Sequence, residues 1–266
     1  MEKLTKIMKS DFKELHTSRK IERAKEFSKL TGMHVNHNEY PEYFFGDPEA
    51  KLVIVHLQPK KEANKADLYE GDFKYSDFEE YYHFYRNFGK LTPRVGDPKF
   101  DRNQISFIRP FNVIAFDDSK DNSRNLERVI DEKLQLQLMP FGSSKFPTPL
   151  IKATASKTDL LKPYVDMLLD TICEQDRDYI IFCGNIFETV LKDYILQEGG
   201  KKHQIDYKFY LPKDDGTTAK NKSRFSKIVL DFNGHKIPAG IAQTYHQQGL
   251  NMKEYGKKCC EIYDQA

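Results

Sequence analysis

The chain of 266 residues has no tryptophan, only four cysteines and no apolar run of membrane-spanning length. Each shortage excludes something. A span needs about 20 consecutive apolar residues. The opening "MEKLTKIMKSDFKELHTSRK" is charged throughout and has no apolar core of signal-peptide length. The reading is a soluble, cytoplasmic protein with no membrane partner. Cys173, Cys183, Cys259 and Cys260 lack the spacings of a zinc or iron–sulfur site, and the adjacent pair Cys259–Cys260 suits neither a mutual disulfide nor a shared metal. They read as reduced, structural thiols.

Familiar motifs are missing too. No GxGxxG follows a strand and no GxxxxGK[ST] occurs, so a dinucleotide or P-loop phosphate cradle has no support. No GxSxG nucleophile elbow is found. The eight histidines form neither HxxxH nor HExxH, and His34 and His37 of "HVNH" sit in a loop-like stretch. No acidic pair closes two strands as a two-metal nuclease requires. No metal and no cofactor is therefore expected. An excess of one charge is also lacking: 42 basic against 40 acidic side chains give a formal +2. That balance neither demands nor excludes nucleic acid, because a basic face can hide in a neutral total.

What is present is aromatic. Nineteen Phe and 15 Tyr in a 39% hydrophobic composition point to an ordered core. Leu4, Ile7, Met8, Phe12 and Leu15 recur at helical spacing, which makes residues 1–38 an N-terminal helical extension. The remainder, 39–266, reads as a single α/β domain. "KLVIVHLQP" and "DYIIFCGN" are continuous apolar runs, the pattern of parallel strands buried on both faces. "LQLQLMPFGSS" alternates as a half-buried strand does, and "IVLDFNGHKIPAGIAQTYH" reads as a hairpin around "NGHK". Helices are expected in "SDFEEYYHFYRNFGKL", which opens with Ser and acidic residues, and in "NSRNLERVIDEK", "TDLLKPYVDMLLDTICEQD", "IFETVLKDYIL" and "NMKEYGKKCCEIYD". "QISFIRPFNVIAFDD" reads as one or two strands, and the lysine-rich 199–227 as a protruding hairpin insertion. The expected fold is α/β with three layers, a mainly parallel central sheet between helices.

In such sheets, sites collect beyond the carboxyl ends of the strands. Those ends are polar here: His56-Leu57-Gln58-Pro59-Lys60-Lys61, Met139 to Ser144, Phe182-Cys183-Gly184-Asn185, and Thr244-Tyr245-His246-Gln247-Gln248-Gly249.

"YFFGDPEAKLVIVHLQP" followed by "YYHFYRNFGKL" resembles the opening of the uracil-DNA glycosylase superfamily. There, Gly, Asp or Asn, and Pro precede a strand that ends in a short motif closed by Pro. "KPYVDMLLDTICEQDRDYIIFCGNIFETVL" resembles the family's late helix–strand–helix segment, and "IPAGIAQTYHQQG" its second motif, a strand ending in His before a loop that enters the DNA minor groove. The resemblance spans roughly residues 40 to 260, in order. It implies a glycosylase-like fold and two catalytic positions: Gln58, where the family carries Asp or Asn to place the attacking water, and His246, which steadies the charge on the departing base. It also implies a stacking aromatic at Phe84 or Tyr85, and a base pocket that includes His56, Pro59, Phe141, Ser143 and Asn185. Lys60, Lys61, Gln247 and Gln248 would contact phosphate or sugar. His56 stands where the family has a small Gly, and Gln247-Gln248 replace Pro-Ser. Two functions stay open on these residues: cleavage of the N-glycosidic bond of a flipped uracil or damaged base in DNA, or a catalytically impaired module that binds a nucleobase, nucleotide or nucleic acid.

Overall fold

A computed structural model describes residues 1–32, 34–57, 74–92, 99–117, 122–143, 158–213, 217–245 and 250–265. The N-terminal pair is α1 (Glu2–Ser18) and α2 (Glu22–Thr31), followed by strands β1 (Phe44–Gly46) and β2 (Leu52–His56). Next come α3 (Phe78–Arg86), α4 (Phe88–Leu91), α5 (Lys99–Ile108), a 3-10 turn (Arg109–Phe111), α6 (Asn122–Asp131) and β3 (Leu134–Gln137). The second half runs α7 (Thr158–Cys173), β4 (Tyr179–Cys183), α8 (Ile186–Gln197), β5 (Lys201–Phe209), β6 (Ser223–Phe232), β7 (His235–Ala242) and α9 (Met252–Asp264).

Local chemistry explains several boundaries. Asp77 caps α3 by accepting from the Glu80 amide at 2.8 Å, while Glu80 accepts from the Ser76 amide and hydroxyl, both at 2.7 Å. Reciprocal capping of this kind satisfies donors that a helix start leaves free. Asn251 caps α9 through the Glu254 amide at 3.1 Å. Asn233 and Gly234, at φ 47° and 78°, form the two-residue turn between β6 and β7 that a tight hairpin demands.

The strands form one seven-stranded sheet in the order β1-β3-β2-β4-β7-β6-β5. β3, β2, β4 and β7 run parallel to their neighbours, whereas β1 lies antiparallel on β3, and β6 and β5 continue antiparallel from β7. The sheet is thus mixed, not mainly parallel as expected. The reason is connectivity: β6 and β7 are joined by two residues, and such a link can only reverse the chain. β2 is buried on both faces. Val53 and Val55 enter the core shared with α1, α3, α7 and α8, and Leu52 and Ile54 enter a second core shared with α5, α6 and α9.

The segment read as strands over 104–118 is instead the end of α5 and the 3-10 turn up to Phe111, followed by irregular chain over 112–117, with 118 outside the described residues. Its buried residues Asp101, Gln104, Ile105 and Ile108 repeat every three to four positions, a helical period. The β-branched and aromatic residues that suggested strands are satisfied by packing against the second core. Among the N-terminal helices, Leu4, Met8, Phe12 and Leu15 belong to the first core, and Phe12 stacks on Tyr81 at 5.6 Å. The buried Asp11 carboxylate accepts from the Tyr43 hydroxyl at 2.5 Å and pairs with Arg23. The lysine-rich span 199–227 covers β5 and the start of β6, at the outer antiparallel edge.

Candidate functional site

From β2 the chain passes to β3 on one side, then crosses back over β2 to β4 on the other. Strand order reverses between β2 and β4, and α/β sheets open a crevice at that kind of point, beyond the carboxyl ends. Four parallel strands deliver polar residues there: His56 from β2, Gln137 from β3, Cys183-Gly184-Asn185 from β4, and Gln243 to Tyr245 after β7.

The register fixes which side chains share a face. His56 pairs with Gln137 across parallel strands, so both project to the side of the second core, as do Ile54 and Cys183. The His56 ring lies 5.4 Å from the Tyr245 ring and 5.6 Å from that of Phe100, at the start of α5. Asn103 of the same helix donates its amide to the Tyr245 carbonyl at 2.6 Å. α5 thereby ties the end of β2 to the segment after β7. Its inward face also carries the buried Asp101 and Gln104.

Lys133 is fully buried and its ammonium donates to Gln135 Oε1 at 3.0 Å, on the same face of β3 as Gln137. Burial pushes the Cys183 thiol up to about 12, against the opposing influence of the Tyr245 hydroxyl and the Lys133 charge. Burial likewise raises Tyr245 well above the ordinary phenol range, with Cys183 adding to it. Both stay protonated at neutral pH. Cys183 is therefore not poised as a thiolate nucleophile, since nucleophilic cysteines need a depressed pKa. One buried acceptor at this level, Gln137 Oε1, makes no hydrogen bond within the described residues, whereas the Tyr245 hydroxyl interacts with the Cys183 thiol. Unpaired buried polar atoms are costly and are often kept for a ligand.

Gly184 has φ +125°, a conformation that a side chain rarely adopts, and its amide donates to the Ala242 carbonyl at 2.8 Å. This lets β4 pass at once into α8, with Asn185 exposed at the junction. Of the other expected pocket residues, Phe84 and Tyr85 lie in an aromatic group with Phe45, Tyr75, Tyr81 and Phe88, Tyr85 being buried and Phe84 partly so. Phe141 is buried with its ring edge-on to Tyr164 at 6.2 Å. The Ser143 hydroxyl donates to the His34 carbonyl at 2.7 Å. Gln58, Pro59, Lys60, Lys61, Ser144, His246, Gln247 and Gln248 lie outside the described residues.

Sequence reasoning missed Gln137, Lys133, Asp101 and Gln104 as groups near these strand ends. Gln137 had a visible signal, as the last polar residue of the alternating "LQLQ". Lys133 had none, because a lysine after a helix looks like a solvated end. Among the described residues, no group of three or more His, Cys, Asp and Glu could hold a metal, and no helix is long and apolar enough to cross a membrane. Compared with known proteins, the chain matches no family model, no curated protein and no solved structure.

Proposed function

We propose that the protein is uracil-DNA glycosylase-like, with a three-layer fold that takes a flipped uracil or damaged base into the strand-end crevice and cleaves its N-glycosidic bond. The observation that carries this reading is the contact of His56 with Tyr245, ring to ring at 5.4 Å. Gln58 follows His56 by two residues and His246 follows Tyr245 by one. The segments that lead to the two catalytic positions implied by the resemblance thus leave the ends of β2 and β7, the strands on either side of β4. In the proposed step the C1′–N bond breaks and its electron pair departs with the base. His246 steadies that negative charge. A water oriented by the Gln58 amide bonds to C1′ and releases its proton to solvent. Gln58 is no general base, and losing one slows such steps by about 10²–10⁴-fold, so turnover is slow.

A second reading, a nucleobase-binding module without catalysis, draws on the chemistry of the described strand ends. Gln137, Tyr245 and Cys183 are neutral hydrogen-bonding groups there, and amides recognise base edges well. His56, packed against both Phe100 and Tyr245, also fills space at the end of β2.

The test is a single-turnover assay with protein in excess over end-labelled oligonucleotides containing uracil, hypoxanthine or a G·T mismatch, followed by alkali. Alkali-labile sites that disappear in His246→Ala support the enzyme. Saturable binding without base release supports the module. Neither release nor binding refutes both.

A further inference from the structure

A second feature lies between β5 and β6. Leu211 to Lys213 and Thr217 to Ala219 fold back on each other, with Lys213 donating to the Thr217 carbonyl at 2.7 Å and Ala219 to the Leu211 carbonyl at 2.8 Å. Where this turn meets the start of α9 there is a cavity of about 260 Å³. Lys213, Lys220 and Lys222 line it together with Asn221, Leu250 and Asn251, and among the described residues no acidic one does; Asp214 and Asp215 lie outside the described residues. The other described cavities differ. One combines Asp47, Glu127, Asp131 and Glu132 with Arg86, Lys90 and Arg128, and another combines Glu188 and Asp193 with Lys192 and Lys202, so both signs meet in each.

The three lysines are exposed, and among the described residues no carboxylate pairs with any of them. By contrast, Lys162 and Arg224 elsewhere on the surface each hold two acidic partners. Tyr210, 54% exposed, stands at the rim with the Lys222 ammonium 5.3 Å from its ring centre. Cations interleaved with an exposed aromatic suit a single strand, whose phosphates and base faces need both. Position matters as much as charge. Leu250 is five residues beyond Tyr245, and five residues of chain span at most about 18 Å. Phosphates follow one another at about 3.4 Å of axial rise per strand, so the cavity lies within about five nucleotides of a base held in the crevice.

We infer that Lys213, Lys220 and Lys222 form a phosphodiester-binding site for the nucleic-acid strand flanking the base. The inference rests on the base-binding reading above and extends it: the substrate is a polynucleotide, not a free base or mononucleotide. Each phosphate neutralised on a single strand contributes about 0.7 to the slope of log affinity against log salt. Three contacts contribute about 2, equivalent to about 20-fold in affinity between 50 and 200 mM salt.

The experiment is fluorescence anisotropy of a labelled, uracil-containing single-stranded oligonucleotide across a salt series. Wild type is compared with Lys213→Gln/Lys220→Gln/Lys222→Gln and with a control that removes equal charge from exposed positions of α1 and α2, Lys6→Gln/Lys13→Gln/Lys29→Gln. Thermal unfolding verifies that both variants fold. A slope lower by about 2 in the first variant and unchanged in the control supports the site. Oligonucleotide binding with equal slopes in all three proteins overturns it and leaves the base-binding reading standing. A polyglutamate peptide bound as tightly as the oligonucleotide also overturns it, because the patch is then a general polyanion surface. Failure of the wild type to bind oligonucleotide, while deoxyuridine monophosphate binds, overturns the site alone; failure with both ligands overturns the base-binding reading as well.

Discussion

Gln137→Met separates the needs of the fold from those of the crevice. Gln137 is 3% exposed and its Oε1 has no hydrogen bond within the described residues. Leaving a buried acceptor unpaired costs about 1–3 kcal/mol. Methionine has nearly the same length and volume and fills irregular space without a polar atom, so packing is kept while the penalty is removed. Allowing for small packing losses, a gain of about 1 kcal/mol is expected, which raises Tm by about 2–4 °C for a chain of this size. The acceptor offered to a base disappears at the same time. A neutral hydrogen bond contributes about 0.5–1.5 kcal/mol net, so affinity for a uracil-containing oligonucleotide falls about two- to thirteen-fold. Thermal unfolding followed by circular dichroism reads the first effect and anisotropy the second. The two should move in opposite directions, as they do where a site is maintained at the expense of stability. A Tm lower by the same amount would show that the amide is paired inside the protein, and unchanged affinity would remove Gln137 from the site.

Three further substitutions examine the frame around the crevice. Gly184→Ala forces a side chain into φ +125° at the β4–α8 junction and should cost about 1–3 kcal/mol, measured by urea unfolding. Asp11→Ala leaves the Arg23 guanidinium without its buried carboxylate. It should cost about 3 kcal/mol, and Asp11→Leu/Arg23→Met should recover most of that because a whole ion pair is exchanged for packing. Asp206 concerns pH: burial works upward on its carboxyl, yet hydrogen bonds from Gln204, Ser226 and Arg224 outweigh it and hold the group at about 2. A depressed carboxyl stabilises the fold above its unfolded pKa of about 4 and loses that contribution as pH falls toward 2. Asp206→Asn should therefore be less stable than wild type at pH 6, with a gap that shrinks as pH falls through about 2; a gap of the same size at pH 6 and pH 2 contradicts the assignment.

Much of the frame was legible because local patterns agree with the fold. "LVIVH" is apolar at successive positions since β2 faces a core on each side, and "NG" marks the β6–β7 hairpin by backbone conformation alone. α5 was misread because Ile105, Phe107, Ile108 and Phe111 carry strand-like composition, and only packing against α9 and α6 decides for the helix. The antiparallel edge was hidden for a related reason: pairing direction depends on which strands meet, and β1 meets β3 across most of 90 intervening residues. The crevice was half visible. His56, the Gly184–Asn185 junction and Tyr245 stood at strand ends in plain sequence, whereas Gln137 becomes a neighbour of His56 only through the β2–β3 register, and Tyr245 meets His56 only through the folded sheet.

The central claim is that a base enters the crevice where β2, β3, β4 and β7 end. Amide hydrogen exchange with and without a saturating uracil-containing oligonucleotide tests it most directly, because the enzyme and the binding module predict the same footprint. New protection should concentrate at residues 56–57, 137–139, 184–185 and 243–245. Protection confined to other surfaces, with these amides unchanged at saturation, would contradict the account.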